Sequence, residues 1–194
     1  MTFRAESFLK DFLKDEIGRN IAIQSLNQCT LLMWSAFEVL ASDLFVRLIN
    51  MRPQLASTLI RNENTKNLYR QKDITQSLAN YDYDVSGHMG DILIEQARLD
   101  SLPTIKDVYR VLLGSGSSGL LTILDRKEFW YLYKARNVIV HRASIVDEQF
   151  RCDTGVTIQV GNKFRVTADE FDKFLVMVAE AGVAMTMAAS NAVV

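Results

Sequence analysis

Proline and glycine are scarce in this chain, with two and nine occurrences in 194 residues. An all-β sandwich or barrel needs a turn roughly every 8–12 residues, so that scarcity argues against one and favours long helices. Cysteine is nearly absent. Cys29 and Cys152 are isolated and without CxxC spacing, so there is no metal-site pattern. Both suit a reducing cytoplasm, and Cys29, inside an apolar-periodic stretch, is expected to be buried. A large charge of one sign is missing too. The net charge of −1 argues against a protein that coats nucleic acid by bulk electrostatics and leaves a local basic site open. The first residues, MTFRAESFLKDFLKDE, lack the uninterrupted apolar core of a signal peptide. The uncharged stretch from Ala181 to Val194 is shorter than the roughly 20 apolar residues a membrane span needs and includes Thr186, Ser190 and Asn191. A packed C-terminal helix is expected there, and no membrane association.

Hydrophobic residues make up 48% of the chain and charged residues 23%, enough apolar material for one core. Phe8, Phe12 and Leu13 recur at helical spacing. Met33, Trp34, Phe37, Leu40, Ala41, Leu44, Phe45 and Leu48 form a longer i, i+3, i+4 stripe that predicts a strongly amphipathic helix, and Pro53 marks its end and the start of another. Short helices are expected around 72–80 and 88–99. Another is expected from Pro103 through Ile105, Val108, Tyr109 and Leu112 to Gly114. Asp125 and Glu128 have capping-box spacing for a helix that runs to His141. Val156, Ile158 and Val160, then Phe164 and Val166, alternate around Gly161-Asn162, which predicts a β-hairpin over 156–167. A three-residue loop would set Val160 beside Phe164 and Ile158 beside Val166. Thr167 and Glu170 form a second capping box. They open a last helix with Phe171, Phe174, Leu175, Val178, Gly182 and Met185 on one side, whose small residues let another helix approach closely. No internal repeat or linker divides the chain, so residues 1–194 read as a single, all-α domain with a small β-hairpin insertion.

The glycines at 114–119 match GxGxxG, the dinucleotide fingerprint. That motif needs a strand before it and a βαβ unit around it, whereas 105–113 reads as a helix, so a flexible connector is expected. His88, in Ser-Gly-His-Met-Gly, is expected to be structural or exposed. No metal or cofactor site is expected. Residues 126–151 carry six basic and three acidic side chains, a local excess of three positive charges.

Arg136, Asn137 and His141 are the residues with suggestive chemistry. Asn137 and His141, four apart, share a helix face, whereas Arg136 sits roughly 140° from His141 on an ideal helix. One helix alone therefore does not converge them. A bend, or a second copy of the helix from a partner subunit, would. Histidine moves a proton near neutral pH, arginine holds a phosphate or its transition state, and asparagine orients either.

Arg136-Asn137-x-x-x-His141 resembles the RxxxxH motif of the HEPN superfamily, in the form with a polar residue after the arginine. The segment YLYKARNVIVHRASIVDEQF is similar to the motif helix of prokaryotic HEPN proteins of the RiboL-PSP type, and LMWSAFEVLASDLFVRLI is similar to their long first core helix. The resemblance covers about residues 28–150 and is sharp at the motif. It implies a helical bundle that dimerises with its motif helices facing each other. It also implies a metal-independent endoribonuclease of toxin or phage-defence type, with RNA as substrate and a cognate antitoxin or defence-system partner. Carried over by position, His141 is the general acid/base, Arg136 the phosphate or transition-state contact, and Asn137 a polar support. Glu38 matches an acidic residue on the upstream helix of some members. The hairpin and the 61–118 region lie outside a minimal HEPN core. A non-catalytic interaction or RNA-binding module is the alternative.

Overall fold

Helix dominates the computed structural model, which describes residues 11–69 and 75–193. Of the expected first helix, Phe8 lies outside the described residues. Residues 11–14 are helical and Asp15 breaks the run, its carboxylate accepting from the Gly18 N–H at 3.3 Å. The elements that follow are α1 (Glu16–Met51), α2 (Leu55–Arg61), α3 (Thr75–Ala79), α4 (Met89–Gln96) and α5 (Leu102–Leu113). A 3-10 turn (Gly114–Ser117) leads to α6 (Ser118–Leu124), α7 (Lys127–His141), α8 (Glu148–Thr154) and α9 (Ala168–Val193). The all-α class predicted from proline and glycine scarcity is the class observed. The described residues form two compact units: those up to Trp34 with 131–176, and those within 35–130 with those from Met177 onward.

In the second unit, α1 presents Phe37, Ala41, Phe45, Leu48 and Ile49, all buried, as the stripe requires. α5 answers with Ile105, Val108, Tyr109 and Leu112. Its start is fixed by Ser101, whose hydroxyl accepts from the Thr104 N–H at 3.2 Å, with Pro103 in the first turn. Tyr109 donates to the Ala41 carbonyl at 2.6 Å, so its buried hydroxyl is satisfied. α4 crosses α1 closely because position 90 is glycine: a Cβ there would stand 2.4 Å from the Val46 carbonyl oxygen. Asn50 seals the crossing, accepting from the Gly90 N–H and donating to Asp91. The last helix buries Ala181, Met185 and Ala189 and leaves Val183 and Met187 exposed. A Cβ on Gly182 would meet Leu40 at 3.3 Å, so the close approach its small residues allow is taken up within the chain.

In the first unit, Trp34 is fully buried with its ring 5.4 Å from that of Tyr133. Tyr131 lies among Phe150, Phe164 and Phe174, with centroids at 6.5, 6.2 and 5.8 Å. Its hydroxyl donates to Glu170 at 2.9 Å. Burial, with that carboxylate beside it, raises the Tyr131 hydroxyl above the usual phenol range. The Thr167/Glu170 capping box forms as read: the Thr167 N–H donates to Glu170, and the Glu170 N–H to the Thr167 hydroxyl.

Four local expectations change. The β-hairpin over 156–167 does not form a ladder. Phe164 and Val166 alternate inward as expected, but their stretch pairs with residues 144–146. Phe164 N–H donates to the Ser144 carbonyl at 2.7 Å, Val146 N–H to Asn162, and Gly161 N–H to Val146, with a single β-bridge between Ile145 and Lys163. Alternation marks which side chains face inward and leaves the pairing partner open. Asp125 does not open α7. It closes α6, at φ −87° and ψ −6°, and its carboxylate meets Lys106. On α9 the buried face runs through Phe174, Met177, Ala181 and Met185, which leaves Leu175 exposed, because alanines take core positions that larger residues were expected to fill. Cys29 is exposed, since the inward face of α1 passes through Asn27, Thr30 and Trp34.

α1 and α9 are both long and apolar enough to cross a membrane by length and composition. Both also carry buried core residues, among them Trp34, Phe45 and Met185.

Candidate active site

α7 brings Arg136, Asn137 and His141 to the outer side of the first unit. Its inward side is set by Leu132, Ala135, Val138 and Ile139, all buried, which leaves Arg136 and Asn137 half-buried and His141 exposed as the last helical residue. Arg136 Nη1 donates to Asn137 Oδ1 at 3.0 Å. On an ideal helix Asn137 stands about 100° from Arg136 and about 40° from His141, so this bond directs the guanidinium around the helix toward the histidine's side. The Asn137 NH₂ group, not used in that bond, can donate further. Among the described residues the His141 side chain has no hydrogen bond or ion pair, and it is exposed to solvent.

Comparison with known proteins returned no matching family model, no matching curated protein and no matching solved structure. The chemistry of the site therefore stands on its residues.

The basic excess over 126–151 does not translate into a bare positive patch. Lys134 pairs with Asp153 at 2.7 Å, Arg142 with Asp147 at 3.3 Å, Arg151 with Glu148 at 3.6 Å and Arg126 with Glu180 at 2.6 Å. Two of those carboxylates come from beyond the segment, and a count along the sequence could not register them.

The turn after His141 was not anticipated. Ala143 and Ser144 both take the left-handed conformation, at φ 49° and 65°. Two successive non-glycine residues there are uncommon and costly. The Ser144 N–H returns to the Val138 carbonyl at 3.0 Å, and the hydroxyl lies 3.5 Å from the Asn27 amide nitrogen. Asn27, 1% exposed, also accepts from the Val166 N–H at 3.1 Å. One buried amide on α1 thus ties the end of α7 to the chain entering α9. The signal was present in the sequence, as polar Asn27 and Thr30 on the stripe that continues to Trp34.

Beside this turn lies a cleft of about 620 Å³, lined by Asn20, Gln24 and Gln28 of α1, by Ala143 and Ser144, and by Lys163 and Arg165.

The other candidates fall elsewhere. His88 precedes α4, stacks on Tyr81 with centroids 4.4 Å apart and stands 3.8 Å from Asp91. Glu38 is half-buried on α1. The glycine motif of 114–119 follows a helix, not a strand. It folds as an ordered 3-10 turn closed by a 2.6 Å bond from the Ser117 hydroxyl to the Gly114 carbonyl. Among the described residues, no three His, Cys, Asp or Glu side chains cluster as metal ligands.

Proposed function

We propose that this protein is a HEPN-type, metal-independent endoribonuclease of a toxin or phage-defence system, acting in the cytoplasm as a homodimer. The observation that carries this reading is the Arg136–Asn137 hydrogen bond beside an exposed His141 at the end of one helix. In the proposed reaction the His141 imidazole takes the proton of an RNA 2′-hydroxyl. That oxygen attacks the adjacent phosphorus, the bond to the 5′-oxygen breaks, and the imidazolium returns the proton to the leaving oxygen. The products are a 2′,3′-cyclic phosphate and a 5′-hydroxyl end, and no metal or cofactor enters. Arg136 neutralises charge gathering on the phosphate, and Asn137 holds its guanidinium. The angular separation of Arg136 and His141 supports a composite site, with each arginine serving the histidine of the other copy. A cognate antitoxin or defence partner would restrain the activity.

Incubation of the purified protein with single-stranded RNA in EDTA tests this. Cleavage to cyclic-phosphate ends is expected, with a loss of at least about 100-fold in His141→Ala, in the range typical of a removed general base. No cleavage, or cleavage unchanged in that variant, refutes the reading. A second reading, a non-catalytic interaction or RNA-binding module, draws support from Val183 and Met187, exposed one turn apart on α9. A stable dimer without nuclease activity in sedimentation and cleavage assays would favour it.

A further inference from the structure

The cleft beside the 143–144 turn has a chemistry that the proposed reaction does not use. Asn20, Gln24 and Gln28 stand four residues apart on α1, so their carboxamides form a ladder along one face. Across the cleft, Lys163 and Arg165 flank the inward-pointing Phe164, which the extended backbone directs to the opposite side. Among the described residues no aspartate or glutamate lines it. Among the described residues none of these five polar side chains has a hydrogen bond or ion pair. Ile23 and Ile139 add apolar surface. The volume, about 620 Å³, falls in the range of small-ligand sites.

We infer that this cleft binds a phosphorylated nucleoside unit, with Lys163 and Arg165 on the phosphate and the amide ladder on the base. Lys163 and Arg165 are both solvent-exposed and stand on one side of the cleft, an arrangement that suits an anion. Three carboxamides, each offering both donors and an acceptor, match a base edge, which presents both kinds of group, better than they match a simple anion. Arginine contributes a fork suited to phosphate oxygens, and lysine a point charge. The unit comes from a free nucleotide or from a nucleotide of a bound RNA strand, and the strand source rests on the RNA-cutting reading above. Because Ala143 and Ser144, two and three residues after His141, line the cleft, occupancy also bears on the turn that ends α7.

Binding is measured on the full chain carrying His141→Ala, which separates it from catalysis. The probes are the four 5′-mononucleotides, a five-nucleotide single-stranded RNA and inorganic phosphate, titrated by calorimetry. Binding of a mononucleotide or of the RNA is expected, weakened at least tenfold by Lys163→Ala with Arg165→Ala and severalfold by Gln24→Ala with Gln28→Ala, while circular dichroism stays unchanged. Mononucleotide binding assigns a free nucleotide, and binding of the RNA alone assigns a strand. In the strand case the salt dependence should lose a slope of about 0.7 in the double variant, the value for one neutralised phosphate on a single strand. Failure of every probe to bind, binding unaffected by loss of both cations, or phosphate binding as tightly as the nucleotides overturns the inference. An RNase that cleaves but shows one of these outcomes leaves the catalytic reading intact, and an inactive protein that binds as described leaves this one intact.

Discussion

Asn27 and Ala143 show how much of the site rests on residues that carry no chemistry. The Asn27 carboxamide accepts from the buried Val166 N–H, and without it that donor has lost its partner. Asn27→Ala is therefore expected to cost about 1–3 kcal/mol, read as a lower urea midpoint with an unchanged denaturant slope. Ala143 holds a left-handed conformation that glycine adopts freely. Ala143→Gly should raise stability by up to about 1 kcal/mol, or about 2–4 °C in Tm, and a decrease would show that the alanine methyl contributes more than the conformation costs. The motif residues were legible in the sequence as residue types at a spacing. Their supports were not, because left-handed backbone at Ala-Ser carries no compositional mark and because Asn27 meets Ser144 and Val166 across more than a hundred residues.

At the scale of elements, periodicity carried the most information where side chains were large. The Trp34-to-Leu48 stripe and the Ile105-to-Leu112 stripe bury the faces they predict, and Thr167 with Glu170 caps α9 as read. It carried less where alanine does the packing, as on α9, and where an extended segment has two candidate partners, as at 156–166. The ion pair between Lys134 on α7 and Asp153 on α8 was also out of reach, since nothing local joins them. Hydrogen bonds from Lys134 and then Gln149 hold the Asp153 carboxyl below the usual carboxylate range. A lowered folded-state pKa stabilises the native state above the unfolded value, near 3.9, and that contribution is lost as pH falls through the lower, folded value. Asp153→Asn should thus be less stable than the wild type at neutral pH, with the gap closing below about pH 4. A gap constant from pH 7 to pH 3 would assign the effect to packing.

For the whole molecule, the all-α class followed from what the sequence lacks, whereas its two compact units left no trace in composition, because α1 supplies residues to both without a break. Length and apolar content alone cannot separate a core helix from a membrane-spanning one. α1 and α9 satisfy both descriptions. On the cytoplasmic reading proposed above, both are core helices. Expressed protein should accordingly leave membranes in an alkaline carbonate wash, and retention through that wash would assign these helices to a bilayer.

The bonds that join residues 144–146 to 161–164 have a consequence for observing the protein at work. The amide hydrogens of Val146, Gly161 and Phe164 are held by the backbone carbonyls of Asn162, Val146 and Ser144 across the two segments, so they should exchange with deuterium at a common, slow rate set by a single opening event. That event frees the turn behind His141. Three neighbouring amides thus form a built-in reporter, readable before any substrate is known, of how often the end of the motif helix comes undone.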